Sequence, residues 1–119
     1  MVLVDTSVWI NHFRDDNPKL RTLLQEVAVA CHPFIIGELA CGNLKNRKEV
    51  LTLLDTLPSS QVVNEEEFLH FLENNLLVGQ GIGFVDVHLL ASAKLSKLPL
   101  WTEDKKLKKF ADELDLSFA

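Results

Sequence analysis

No stretch of this sequence is apolar for long enough to cross a bilayer, where a helix needs about 20 predominantly apolar residues. No basic segment followed by an apolar one opens the chain as a secretory leader would. The expectation is a cytoplasmic protein with no membrane partner. Cysteine is scarce: Cys31 and Cys41 are the whole complement, without CxxC spacing or a second pair. That argues against a disulfide framework or a thiolate metal site, and both are expected to be reduced, mostly buried thiols. Positive charge is also short, with 12 Lys and Arg against 17 Asp and Glu and a net charge of −5. A basic footprint for nucleic acid is therefore missing from the bulk numbers. Repeats, low-complexity tracts and linkers are missing too.

What is present describes one folded unit. The 119 residues, 47% hydrophobic and 24% charged, suit a single domain over 1–119 with one core. The bases are unevenly spread: Lys45, Arg47 and Lys48 form one group, and Lys105, Lys106, Lys108 and Lys109 another. Each group also reads as a solvated helix face.

Short apolar runs alternate with helical patterns. Strands are expected over 1–5, 29–31, 61–63 and 98–101, with a final one over 116–118. Helices are expected from Thr6 or Ser7 as cap to about 13, from Pro18 with Leu20, Leu23, Leu24 and Val27 on one face, and from Pro33 to near Gly42. Others run over 47–57, after Asn64 with Glu67 completing a capping box, over 84–96 and over 103–114. The alternation implies a three-layer α/β/α sandwich around a mostly parallel sheet of four or five strands. Ligands in such folds bind at the carboxyl ends of strands, where Asp5 and Asp104 fall.

Four acids stand among apolar residues. Asp5 ends Val2-Leu3-Val4, Glu38 lies in Phe34-Ile35-Ile36-Gly37-Glu38-Leu39-Ala40, Asp86 in Phe84-Val85-Asp86-Val87-His88-Leu89-Leu90, and Asp104 follows Leu100-Trp101-Thr102. Asp86 shares a helical face with Leu89, Leu90 and Ala93, and Glu38 neighbours Phe34, Ile35 and Cys41 by the same rule. Buried carboxylates are normally paired, neutralised or bound to a metal, and few bases are near in sequence. If the four converge, they form a pocket of hard oxygen ligands suited to Mg²⁺ or Mn²⁺ rather than Zn²⁺, able to activate a water against a phosphodiester. For Asp104, capping the following helix is an open alternative.

With these residues in place the chain resembles the PIN-domain family, specifically VapC-type toxins of toxin–antitoxin pairs. The resemblance runs nearly full length through Val4-Asp5-Thr6-Ser7-Val8-Trp9-Ile10, Ile36-Gly37-Glu38-Leu39, 81–93 and Leu100-Trp101-Thr102-Glu103-Asp104-Lys105-Lys106-Leu107. It implies a ribonuclease needing Mg²⁺, with Mn²⁺ as a substitute, whose metal ligands are Asp5, Glu38, Asp86 and Asp104. It further implies that Thr6 or Ser7 orients the metal water, that Thr102 supports the fourth acid, and that the partners are an RNA substrate, a cognate antitoxin and a second copy of the chain. Glu103 departs from the pattern, because many relatives carry a base there.

Rival readings are a PIN fold retained only for RNA or metal binding, and a phospho-receiver domain with Asp55 as acceptor. The receiver reading suffers because a receiver has two adjacent acids after its first strand, and because 46–51 is spaced as a helix. An aspartate-based phosphatase would want an acid at Ser7. Among lesser residues, His88 sits about 200° round the helix from Asp86 and is expected to pack or face solvent. Gly79-Gln80-Gly81-Ile82-Gly83 reads as a flexible entry to a helix that could present amides to phosphate. Trp9 and Phe13 share a face, either core or interface, and Arg14 is within reach of a phosphate.

Overall fold

The computed structural model describes residues 1–118. The element order is β1 (Val2–Val4), α1 (Thr6–Asp15), α2 (Pro18–Gln25), β2 (Val29–Ala30), α3 (Pro33–Cys41), α4 (Arg47–Thr56), α5 (Glu65–Asn74), α6 (Phe84–Ser96), β3 (Leu100–Trp101) and α7 (Lys105–Glu113). All seven expected helices form. Their starts follow local chemistry: Pro18 and Pro33 occupy first-turn positions, and Asn64 and Glu67 close the capping box in both directions.

The three strands are parallel and stand in the order β2-β1-β3. Single parallel bridges continue the sheet at both edges, Cys31 with Ser59 and Leu100 with Ser117. Five extended segments thus lie side by side, but only three form ladders among the described residues. The expected strand over 61–63 is not one. The bridge falls earlier, with Cys31 N donating to the Pro58 carbonyl and Ser60 N to the Cys31 carbonyl. Gln61 N is diverted to Ser96 Oγ at 2.8 Å, which takes that segment out of the ladder. The final segment is likewise reduced to one bridge.

This order positions the site. From the central β1 the chain goes to β2 on one side, and returns much later to β3 on the other. Right-handed crossovers in opposite directions put helices on both faces and open a crevice beyond the carboxyl end of the central strand. Asp5 is the residue after β1. Around it the core is built from Leu3, Trp9, Leu20, Ile35, Leu54, Leu89, Leu90, Leu100 and Leu107, all essentially inaccessible. Truncating one such leucine to alanine costs about 2–5 kcal/mol. Trp9 belongs to this core and stacks on the half-buried Phe13, centroids 5.8 Å apart.

Some sequence expectations are corrected. Cys31 is buried, but Cys41 at the end of α3 is exposed. Asp55 lies on the exposed side of α4 rather than at a strand end, which removes the receiver reading. No helix among the described residues is long and apolar enough to cross a membrane.

Candidate active site

Asp5 occupies the N-cap position of α1, yet its side chain does not cap. An N-cap aspartate ordinarily accepts the amides of the first turn. Here Oδ2 accepts two hydroxyls instead, from Ser7 Oγ at 2.8 Å and Thr102 Oγ1 at 2.7 Å. Asp5 is the buried acid of the four, at 6% exposure, and a hydrogen-bonded carboxylate is the form in which such burial is tolerated. Ser7 also accepts the backbone N–H of Glu103 at 3.0 Å, and Thr102 that of Asp104 at 3.0 Å. The start of α1 and the end of β3 are thereby locked together.

Thr102 thus holds the first acid with its hydroxyl and the fourth only through the backbone, where the resemblance implied support of the fourth. The hydroxyls of the first turn divide their work. Ser7 serves Asp5, and Thr6 Oγ1 donates to Glu38 Oε1 at 2.8 Å, reaching from α1 to α3. Asp104 does cap α7, its Oδ1 accepting Leu107 N at 3.0 Å. Capping occupies one carboxylate oxygen, so this role and a cleft-facing one are compatible.

Burial among apolar neighbours, the ground on which the four acids first stand out, holds for Asp5 alone. Asp86 is half-buried, and Glu38 and Asp104 are exposed. Ile35 and Leu39 near Glu38, and Val87, Leu89 and Leu90 near Asp86, turn into the core, while Glu38 and Asp104 face outward. The other three still act on Asp86. Asp86 is pushed up to about 6, first by its own burial and then by the charges of Asp5, Asp104 and Glu38, with Lys106 opposing. Among the described residues no three acid, histidine or cysteine side chains close on one point as a finished metal cage. Carboxylates that raise Asp86 in this way have no reason to close on it without a cation between them. The donor set is all oxygen and carries surplus negative charge, which fits a hard divalent ion.

Two further polar contacts escaped the sequence reading. Asn11 Nδ2 donates to Glu103 Oε2 at 2.6 Å, and Arg14 Nη2 donates to Asn11 Oδ1 at 2.9 Å. The unusual acid at 103 therefore anchors a chain that ends on Arg14. The i, i+3 spacing of Asn11 and Arg14 was the available signal. A groove of about 610 Å³ runs from Glu38 past Ile10, Phe13, Arg14, Leu39 and Lys45, between α1 and the α3–α4 corner. A second cavity of about 500 Å³ lies between α5 and α6 and contains none of the four acids. Arg47 is spent on the Ala40 carbonyl at the end of α3.

His32 and His88 play structural parts. His32 is fully buried, its Nδ1 accepting Phe34 N at 2.9 Å and its Nε2 lying 3.1 Å from Ser92 Oγ. Burial, aided by His88, pulls it down to about 4. His88 packs among Phe34, Phe68 and Phe84, away from the acids, as its helical angle implied.

The PIN domain family matches residues 2–113 of this parallel α/β fold. The chain belongs to that family. It is 43% identical over 120 residues to Ribonuclease VapC32 of Mycobacterium tuberculosis, in strains CDC 1551 / Oshkosh and ATCC 25618 / H37Rv, covering 100% of this chain and 97% of the relative. Among solved structures it resembles a chain in the structure of FitAB bound to an IR36 DNA fragment. The TM-score is 0.64 at 19% identity, over 94% of this chain and 91% of that one, a likeness of fold alone.

Proposed function

We propose that the protein is a metal-dependent endoribonuclease, the toxic member of a toxin–antitoxin pair, whose single domain hydrolyses RNA phosphodiesters. What carries the reading is the bracing of the buried Asp5 by Ser7 and Thr102, with Asp86 raised first by its own burial and then by the charges of Asp5, Asp104 and Glu38, in a chain 43% identical to a ribonuclease over its whole length. Asp5, Glu38, Asp86 and Asp104 are the proposed ligands of Mg²⁺, with Mn²⁺ as a substitute. A bound divalent ion supplies an acidified water and polarises the phosphoryl oxygen. The protein's own groups do the rest. Ser7 and Thr102 hold the Asp5 carboxylate in one orientation, Thr6 holds Glu38, and the α7 amide held by Asp104 fixes that carboxylate at the rim. The cognate antitoxin is a protein partner, and the chain pairs with a second copy of itself.

The test is cleavage of total cellular RNA by the purified protein with Mg²⁺, Mn²⁺ or EDTA, beside Asp86→Asn. Metal-dependent products that vanish in the variant support the reading. A folded protein that leaves RNA intact in every metal supports the PIN fold as a binding module instead.

A further inference from the structure

The first turns of α7 carry Lys105, Lys106, Lys108 and Lys109, whose surroundings differ. Lys108 reaches Asp112 one turn on, Nζ to Oδ2 3.4 Å. Lys106 makes no ion pair among the described residues. Its side chain lies instead against the glycine-rich entry to α6. A Cβ placed on Gly81 would stand 2.9 Å from Lys106 Nζ and 3.7 Å from Cε. Gly81 has φ +75°, a left-handed conformation that side chains rarely adopt, so this turn keeps a bare space and the ammonium occupies it. Gly81 precedes Asp86 by five residues and Lys106 follows Asp104 by two. The Lys106 charge acts on Asp86, so the cation stands beside the acids.

A lysine serving only as counter-ion would close onto one of the acids. This ammonium makes no ion pair with any described carboxylate, so it can pair with an incoming anion. We propose that Lys106 binds a phosphate of the RNA strand at the crevice, and that Gly81 keeps open the space its ammonium occupies. The inference rests on the ribonuclease reading. A chain of net charge −5 repels RNA, so a cation beside the acids has a disproportionate effect. As a point charge directed at the backbone, Lys106 contributes affinity without base preference.

The experiment uses the full chain, with Lys106→Gln, Lys106→Arg and Gly81→Ala beside wild type. Binding of a labelled single-stranded RNA is followed by anisotropy in EDTA over a range of salt, and kcat/KM is followed in Mg²⁺. Lys106→Gln is expected to weaken binding at least threefold and to flatten the salt dependence by about 0.7 in log–log slope, the loss of one phosphate contact. It should lower kcat/KM at least tenfold, mainly through KM. Lys106→Arg should restore most of both, and Gly81→Ala should shift both in the direction of the glutamine variant. Equal binding, slope and kcat/KM for Lys106→Gln and an active wild type overturn the proposal. A variant changed only in Mg²⁺ affinity, read as a displaced thermal-shift titration, overturns it too, since that marks a mere counter-ion. A wild type that neither binds nor cleaves RNA fails the ribonuclease reading itself, a result recognisable without any variant.

Discussion

Thr102 Oγ1 donates to Asp5 Oδ2 at 2.7 Å across 97 positions of sequence, joining the ends of two neighbouring parallel strands through the one buried acid of the crevice. Ser7 donates to the same oxygen, so a carboxylate placed to cap α1 is turned toward the crevice instead.

Thr102→Val keeps the shape and removes that hydroxyl. A hydrogen bond to a buried charged group is worth about 1.5–3 kcal/mol, so denaturant unfolding should show a loss in that range. Ser7→Ala, at a less buried site, should lose less. Cleavage by Thr102→Val should fall at least tenfold, because Asp5 retains one brace of two. A variant as stable and as active as wild type would show that Asp5 needs no bracing.

Asp86→Asn relieves the repulsion among the acids. The metal-free variant should be more stable than wild type at pH 7 by about 1–2 kcal/mol, the raised carboxyl discounted for its half exposure. Mg²⁺ should raise the melting temperature of wild type by mass action and leave the variant nearly unchanged. Equal metal shifts in both proteins would remove Asp86 from the ligand set.

Acid should act through groups of opposite sign, Asp86 on one side and His32 with His88 on the other. Asp86, at about 6 when folded against an ordinary 3.8, binds a proton more readily in the native state, so it adds stability as pH falls from 6 toward 4. His32, at about 4 when folded against 6.5, binds it more readily when unfolded, so it costs stability as pH falls from 6.5 toward 4. Metal-free wild type should therefore change little over this window, while Asp86→Asn should lose on the order of 2 kcal/mol. Urea titrations between pH 7 and 4.5 decide it. Parallel curves would exclude the opposition.

Asn64→Ala breaks the capping box of α5, in which Glu67 N donates to Asn64 Oδ1 at 2.8 Å and Asn64 N to Glu67 Oε1 at 2.9 Å. About 1 kcal/mol of stability should be lost with cleavage unchanged at a temperature where both proteins are folded. Coupled loss of activity would mean that α5 communicates with the crevice.

What the sequence determined by itself is what local rules govern. Proline at helix starts, the Asn64–Glu67 pair and apolar faces of helical period set all seven helices, and short apolar runs between them set a parallel α/β fold. The segments carrying the four acids were legible for the same reason, as strand ends and helix faces with known spacing. Only the tertiary structure decided the rest, because it depends on through-space partners. The edge register at Ser59 instead of 61–63 was decided by Ser96, 35 positions from Gln61. The exposure of Glu38 and Asp104 was decided by where the crevice opens, since a helix face shared with core residues still ends at the surface. The assignment of Thr102 to Asp5, the chain from Glu103 through Asn11 to Arg14, and the placing of Lys106 over Gly81 all join residues far apart in sequence. Hydrogen bonds and charges act over a few ångströms of space, and sequence spacing reports that distance only within a helix or along a strand.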